Sequence, residues 1–297
     1  MPGDPVGTPK LRLVLHLGTP KTGTTTLQQS LRASRRRLLR RGIFFPDIEL
    51  LPTAKNLWFT EYLWNNDFRR FNRNIRKIVR SARDAGSRCV VLSSERFYVR
   101  FADFSAAAKM ALRELEEHFT VTVWCVFREP LAFARSYFAQ ILRFPPDDQW
   151  PCSASPDPLE TVMDHPWFVK RLDYAGFVRQ IERLYGSPVV HATRYEAGGS
   201  VDQARKLLGV DAATLRSVPD ANLSPTALGI DLLLQLNRLG LKLKERQKAV
   251  STIASLDKLM GGPDQFLQAS GELKRKVCAA SRESTKYLRE RFGIRWD

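Results

Sequence analysis

LVLHLGTPKTGTTTLQ, residues 13–28, passes from an apolar run through glycine, proline and threonine into a segment with helical periodicity. The run Leu11 to Leu17 is too short for a stable helix and suits a buried strand. Gly18 to Gly23 carry turn formers, and the pattern from Thr25 onward is helical. A strand that enters a helix through such a loop builds an anion site, because the free backbone N–H groups and the positive end of the helix dipole converge on one point. The hydroxyls of Thr22, Thr24, Thr25 and Thr26 add donors, Gly23 permits close backbone approach, and Lys21 brings a full charge.

The same rhythm continues outward. Short apolar runs at Cys89–Ser93, Val121–Phe127 and Pro188–Ala192 read as further buried strands. Helical patterns lie between them at Thr25–Arg41, Phe71–Ala85, Ser105–His118 and Tyr174–Tyr185. Strands alternating with helices predict an α/β fold of three layers with a central parallel sheet, the α/β core spanning about residues 11–200. From about residue 222 to 297 the pattern is helical only. Ser224 is suited to cap, Pro225 to the first helical position, and helices are expected over Ala227–Leu239, Lys242–Leu259 and Glu272–Phe292, with a turn at residues 261–264. We expect one domain with a helical C-terminal extension. Residues 144–159 hold five prolines among aspartates and serines and predict a long loop, either a lid or a surface excursion.

Composition narrows the setting. Of 297 residues, 43% are hydrophobic and 26% charged, which is ordinary for a folded protein. Lysine and arginine total 47 against 31 acids, a formal balance of +16 that favours anionic partners. The first ten residues lack the apolar core of a signal peptide, and no run approaches the roughly 20 apolar residues that cross a bilayer. Cys89, Cys125, Cys152 and Cys278 have neither disulfide-framework nor zinc spacing. A cytoplasmic protein with reduced thiols is the expectation.

The loop is not the nucleoside-triphosphatase loop, which places lysine after its last glycine; here Lys21 precedes Gly23 by two positions. No hydroxyl-plus-acid pair nearby suits magnesium, so no metal is expected. Pro20, Lys21, Thr22, Gly23, Thr24 and Thr25 resemble the 5′-phosphosulfate loop of sulfotransferases that use 3′-phosphoadenosine 5′-phosphosulfate (PAPS). A second motif, VFREPLAFARSY at residues 126–137, resembles that family's 3′-phosphate motif, an arginine ending a strand and a serine eight positions on. The resemblance implies that Arg128 and Ser136 bind the 3′-phosphate. Independently, Arg128 offers a forked donor set suited to phosphate, and Pro130 suits a helix start. The segment Arg194 to Glu196 resembles a tyrosine-glutamate pair near the adenine site, which places Tyr195 beside the base. The glycine-rich, basic C-terminal motif of cytosolic members has no counterpart here.

The resemblance implies transfer of a sulfuryl group from PAPS to an acceptor hydroxyl, with 3′-phosphoadenosine 5′-phosphate (PAP) as product. Lys21 then stabilises the leaving bridging oxygen. In VVLSSERFY, residues 90–98, Glu95 follows a strand end and resembles the glutamate base of the family's glycan-modifying branch. His16, His118 and His191 lie in or beside regular elements and read as structural, whereas His165 is the rival base. The arginines from Arg32 to Arg41 and the basic helix from Arg69 to Arg83 read as solvated faces or as a groove for an anionic glycan, a glycolipid or a membrane surface. Two other classes stay open: a nucleic-acid-binding protein using the basic helices, and an ATP-dependent, magnesium-requiring kinase-like transferase. Neither zinc-finger spacing nor an RNP-type motif supports the first, so no nucleic-acid partner is expected.

Overall fold

A computed structural model describes residues 9–20, 22–48, 56–94, 96–196, 199–218, 225–260 and 269–296. In chain order the strands are β1 (Leu11–His16), β2 (Ile43–Phe44), β3 (Cys89–Ser93), β4 (Phe119–Phe127) and β5 (Val190–Arg194). The helices are α1 (Thr24–Ala33), α2 (Arg35–Arg40), α3 (Leu57–Trp64), α4 (Phe68–Asp84), α5 (Arg96–Arg100), α6 (Ala106–Arg113) and α7 (Pro130–Ile141). They continue as α8 (Leu159–Val162), α9 (Pro166–Val169), α10 (Tyr174–Tyr185), α11 (Ser200–Leu208), α12 (Ala227–Arg238), α13 (Leu243–Met260) and α14 (Gly271–Phe292).

The chain divides into two compact units, Met1–Phe127 with Phe177–Ala221, and Arg128–Gly176 with Asn222–Asp297. The first unit contains the sheet. All pairings are parallel and the order is β2-β3-β1-β4-β5, so the fold is α/β as expected. Strands of such a sheet are buried on both faces, which is why β3 is buried at every residue and reads as one apolar run. Val14 and Val91 pack with Leu27 and Leu31 of α1 and with Trp124 and Val126 of β4. With β1 central, the path leaves it toward β2 and β3 on one side, while β4 lies on the other. The carboxyl end of β1 is therefore a switch point, where open α/β sheets bind ligands.

Several expected elements change. The helix read over Thr25–Arg41 is two helices, broken at Ser34. Ser34 is buried and its hydroxyl accepts the Arg216 N–H at 3.0 Å, while Ser30 Oγ accepts that of Val218 at 3.2 Å. The second half of Ser105–His118 tightens into a 3-10 turn, Glu114–Glu117. The last strand starts two residues later than its apolar pattern, because pairing sets Val190 against Val123 and carries Thr193 and Arg194 into the ladder. Phe71, Ile75, Ile78 and Val79 are buried on α4, as their spacing requires, and Asp67 caps that helix by accepting from Arg70 N.

The second unit is helical. Ser224 and residues 261–264 lie outside the described residues. Pro225 is not the first helical residue of α12: Thr226 is the N-cap, its hydroxyl accepting from Gly229 N at 3.2 Å while Asp257 accepts the Thr226 N–H. Residues 144–158 form no helix or strand, yet Cys152 to Ser155 are buried. Asn237 Nδ2 donates to Leu142 O and Ser155 O, and Arg246, itself buried, donates to Leu142 O at 2.7 Å and to Arg143 O at 3.2 Å. These bonds anchor the proline-rich loop to α12 and α13. Among the described residues, no helix is long and apolar enough to cross a membrane.

Candidate functional site

In the first unit, hydrogen bonding from β1 to β4 runs on beyond the strand: Leu17 N donates to Trp124 O at 3.0 Å, and Thr19 N to Val126 O at 3.1 Å. The Thr19 hydroxyl also bonds Val126 O, and Thr22 Oγ1 donates to Thr19 O at 2.7 Å. The hydroxyl hydrogen of Thr22 is therefore committed to bracing the loop. Gly23 then turns the chain into α1 with φ 70°, a left-handed conformation that glycine adopts without strain. A Cβ at Gly23 would also lie 2.9 Å from Ser200 Oγ and 3.6 Å from the ring of Tyr195. Gly23 supplies no side-chain cap, and no acid occupies the first turn of α1. Thr24 is buried with Oγ1 unpartnered among the described residues, while Thr25 is half-buried and Thr26 buried.

Two residues remote in sequence meet this loop. Ser200, first in α11, donates to Gly23 O at 3.4 Å, and Tyr195 reaches the loop because its amide donates to Phe127 O at 2.7 Å just past β5. Tyr195 is thus brought beside Gly23. Ser200 has no local signal, since 177 positions separate it from Gly23.

Beneath the loop lies a buried polar cluster. Gln28 Nε2 donates to Ser93 O at 3.1 Å and to Ser93 Oγ at 3.0 Å, and Ser93 Oγ lies 2.8 Å from His16 Nδ1. Ser93 Oγ accepts from Gln28 and shares one further hydrogen bond with His16 Nδ1. His16 is fully buried and packs against Trp124 with ring centroids 4.5 Å apart and planes tilted by 42°, and burial pushes its pKa down to about 3, so it is neutral at physiological pH. Among the described residues, His16 Nε2, Gln28 Oε1 and Asn56 Nδ2 have no hydrogen-bond partner. Asn56 Oδ1 accepts from Ser93 N at 3.3 Å, Ser94 N donates to His16 O at 3.0 Å, and Ser94 Oγ lies 2.6 Å from Thr60 Oγ1. The last two residues before Glu95 are held by β1, α1 and α3 together. Lys21 and Glu95 themselves lie outside the described residues.

In the second unit, the second motif closes on itself. Arg128 follows β4, and its Nη1 donates to the buried Ser136 Oγ at 3.2 Å. Pro130 is at the start of α7. The Glu129 carboxylate caps α7, accepting from Leu131 N at 2.9 Å and from Ala132 N. The Tyr174 hydroxyl donates to Arg128 O at 3.1 Å. Burial holds that phenol well above its ordinary pKa, with the Glu129 carboxylate adding to the shift and Arg128 opposing it. His165 is exposed, and its Nδ1 accepts from Trp167 N at 3.1 Å as the N-cap of α9.

His118 ends the 3-10 turn and His191 lies in β5, both apart from the loop residues described. Cys89, Cys125 and Cys152 are buried and their thiols are pushed up by burial, Cys89 and Cys152 to about 11. Among the described residues, no group of three or more His, Cys, Asp or Glu is placed to hold a metal.

No family model matches the chain, and no curated protein matches it. Among solved structures, it is similar to a sulfotransferase from Alicyclobacillus acidocaldarius, with 15% identity over 81% of this chain and 100% of that one and a TM-score of 0.40. The residues of the two motifs, rather than this likeness, carry a functional reading.

Proposed function

We propose that the chain is a sulfotransferase that moves a sulfuryl group from PAPS to an acceptor hydroxyl, on a carbohydrate or glycolipid, and releases PAP. The observation that carries the reading is the strand-loop-helix of residues 11–33, in which Gly23 is required both by its left-handed backbone and by the approach of Ser200, with Lys21 two positions before it. Such a helix start presents backbone donors to a phosphate without a side chain or acid competing for them. Thr22 to Thr26 are assigned to the 5′-phosphate, Arg128 and Ser136 to the 3′-phosphate, and Tyr195 to the base. A guanidinium already directed at a serine hydroxyl is preorganised to donate to phosphate oxygens.

PAPS supplies the sulfuryl group. The acceptor oxygen forms the new bond to sulfur as the bridging S–O bond breaks, the acceptor proton passes to Glu95, and Lys21 offsets the charge left on the bridging oxygen. The lysine before Gly23 argues against the kinase-like alternative, and no motif of the chain supports nucleic-acid readout.

Calorimetric titration of PAP, and separately of ATP with magnesium, into wild type and Arg128→Ala tests the reading. Metal-independent PAP binding that collapses in Arg128→Ala is expected, followed by acceptor screening with labelled PAPS. Binding of ATP or of RNA in place of PAP would overturn it.

A further inference from the structure

The arginines that follow the phosphate loop do not sit beside it. Helix α1 starts at the loop and carries the chain about 15 Å, at 1.5 Å per residue, back toward the amino ends of the strands and edge strand β2. There Ile43 of β2 pairs with Cys89, the first residue of β3. At that edge α1, α2 and β2 enclose a cavity of about 630 Å³ in the first unit, within the ordinary size of small-molecule sites. Its walls are Arg32, Arg35, Arg36, Arg37 and Arg40, and its apolar side is formed by Ile43, Phe44 and Phe45.

Charge in this cavity is unbalanced. No aspartate or glutamate occurs in the sequence between Asp4 and Asp47. Among the described residues that line the cavity Asp47 is the acid, and it is taken by Arg35, which also donates to Phe45 O at 3.1 Å. Among the described residues, Arg36, Arg37 and Arg40 have no carboxylate partner. Among the described residues, Arg37 Nε is sealed from solvent without a hydrogen-bond acceptor, an arrangement that costs free energy. Arg36 and Arg40 are four apart on α2 and Arg37 and Arg40 three apart, so like charges are held as neighbours. Forked guanidinium groups converging on one concave site match phosphate and sulfate oxygens bidentately.

We propose that this cavity binds a compact polyanion bearing two or more phosphate or sulfate groups, at a site distinct from the phosphate loop. A single monoanion would leave most of the guanidinium charge unmatched, and a flat surface would not fill a concave cavity.

The test is calorimetry with inositol hexakisphosphate and inorganic pyrophosphate at about 0.15 M salt, where exposed charges are screened beyond about 8 Å. In parallel, the protein is sedimented with phosphatidylcholine vesicles with and without phosphatidylinositol bisphosphate. Wild type is compared with the triple variant Arg36→Gln, Arg37→Gln, Arg40→Gln. The control, Arg73→Gln, Arg76→Gln, Arg80→Gln, removes the same charge from the exposed face of α4 in the same unit. Saturable binding that weakens at least about tenfold in the α2 triple, and not in the α4 triple, is expected. Binding in solution would identify a soluble ligand, and binding only on vesicles a lipid headgroup. Absence of binding in both arms, or equal loss in both triples, would overturn the proposal. If the α2 triple does not give a native melting transition, the exposed single variant Arg40→Gln carries the comparison.

Discussion

Gly23 is constrained twice, by its backbone and by Ser200. Gly23→Ala is expected to cost about 1–2 kcal/mol from the left-handed backbone alone, and more from the 2.9 Å approach of the new Cβ to Ser200 Oγ. Adding Ser200→Ala removes only the second part, so urea melts of the single and double variants separate the two. His16 gives a second prediction. Its folded pKa of about 3 lies below the ordinary 6.5, so the unfolded chain binds the proton more readily between those values. The stabilisation is complete above pH 6.5 and is lost as pH falls toward 3, a change on the order of 5 kcal/mol at most. His16→Asn should show a shallower loss of stability over that window than wild type in urea melts. For the base, His165→Asn keeps a good helix cap and is expected to keep turnover, whereas Glu95→Gln and Lys21→Ala should each lower kcat by about 10²-fold or more. Near-normal turnover in Glu95→Gln would remove the base assignment.

At the scale of elements, the Glu129 carboxylate starts α7 and so fixes where Ser136 meets Arg128. Glu129→Ala should destabilise the protein by about 1 kcal/mol, and Glu129→Gln by less because one acceptor remains. Both are measurable by chemical denaturation. The elements legible in the sequence are those whose signal is local. β1 and β3 are apolar runs bounded by turn residues, α10 has its full helical period, and Pro130 announces α7. β2 is only two residues long and is defined by pairing with β3, and the polar end of β5 is a strand only because β4 lies beside it. The loop could be read because its chemistry is contiguous from Gly18 to Thr26. The cluster beneath it could not, since His16, Gln28, Asn56 and Ser93 meet only through the sheet and α3. Gln28 alone leaves a trace, as a polar residue on the buried face of an amphipathic helix.

For the whole molecule, the +16 balance means the folded chain repels itself. Raising salt from about 0.02 M to 0.3 M, which shortens the screening length from above 20 Å to below 6 Å, should therefore raise the melting temperature. PAP at one hundred times its dissociation constant should add about 2.7 kcal/mol to stability, without magnesium, and Arg128→Ala should abolish that gain at the same PAP concentration. The same field has a kinetic side. On the proposed reaction a multiply negative donor is drawn in by it, but the departing PAP is also an anion and must climb out against the same attraction. On the proposed reaction, added salt is expected to push the two steady-state constants in opposite directions, lowering kcat/KM as capture slows and raising kcat as product escape becomes easier. If salt moves the two constants that way, the excess of arginine that speeds arrival also limits turnover on the proposed reaction.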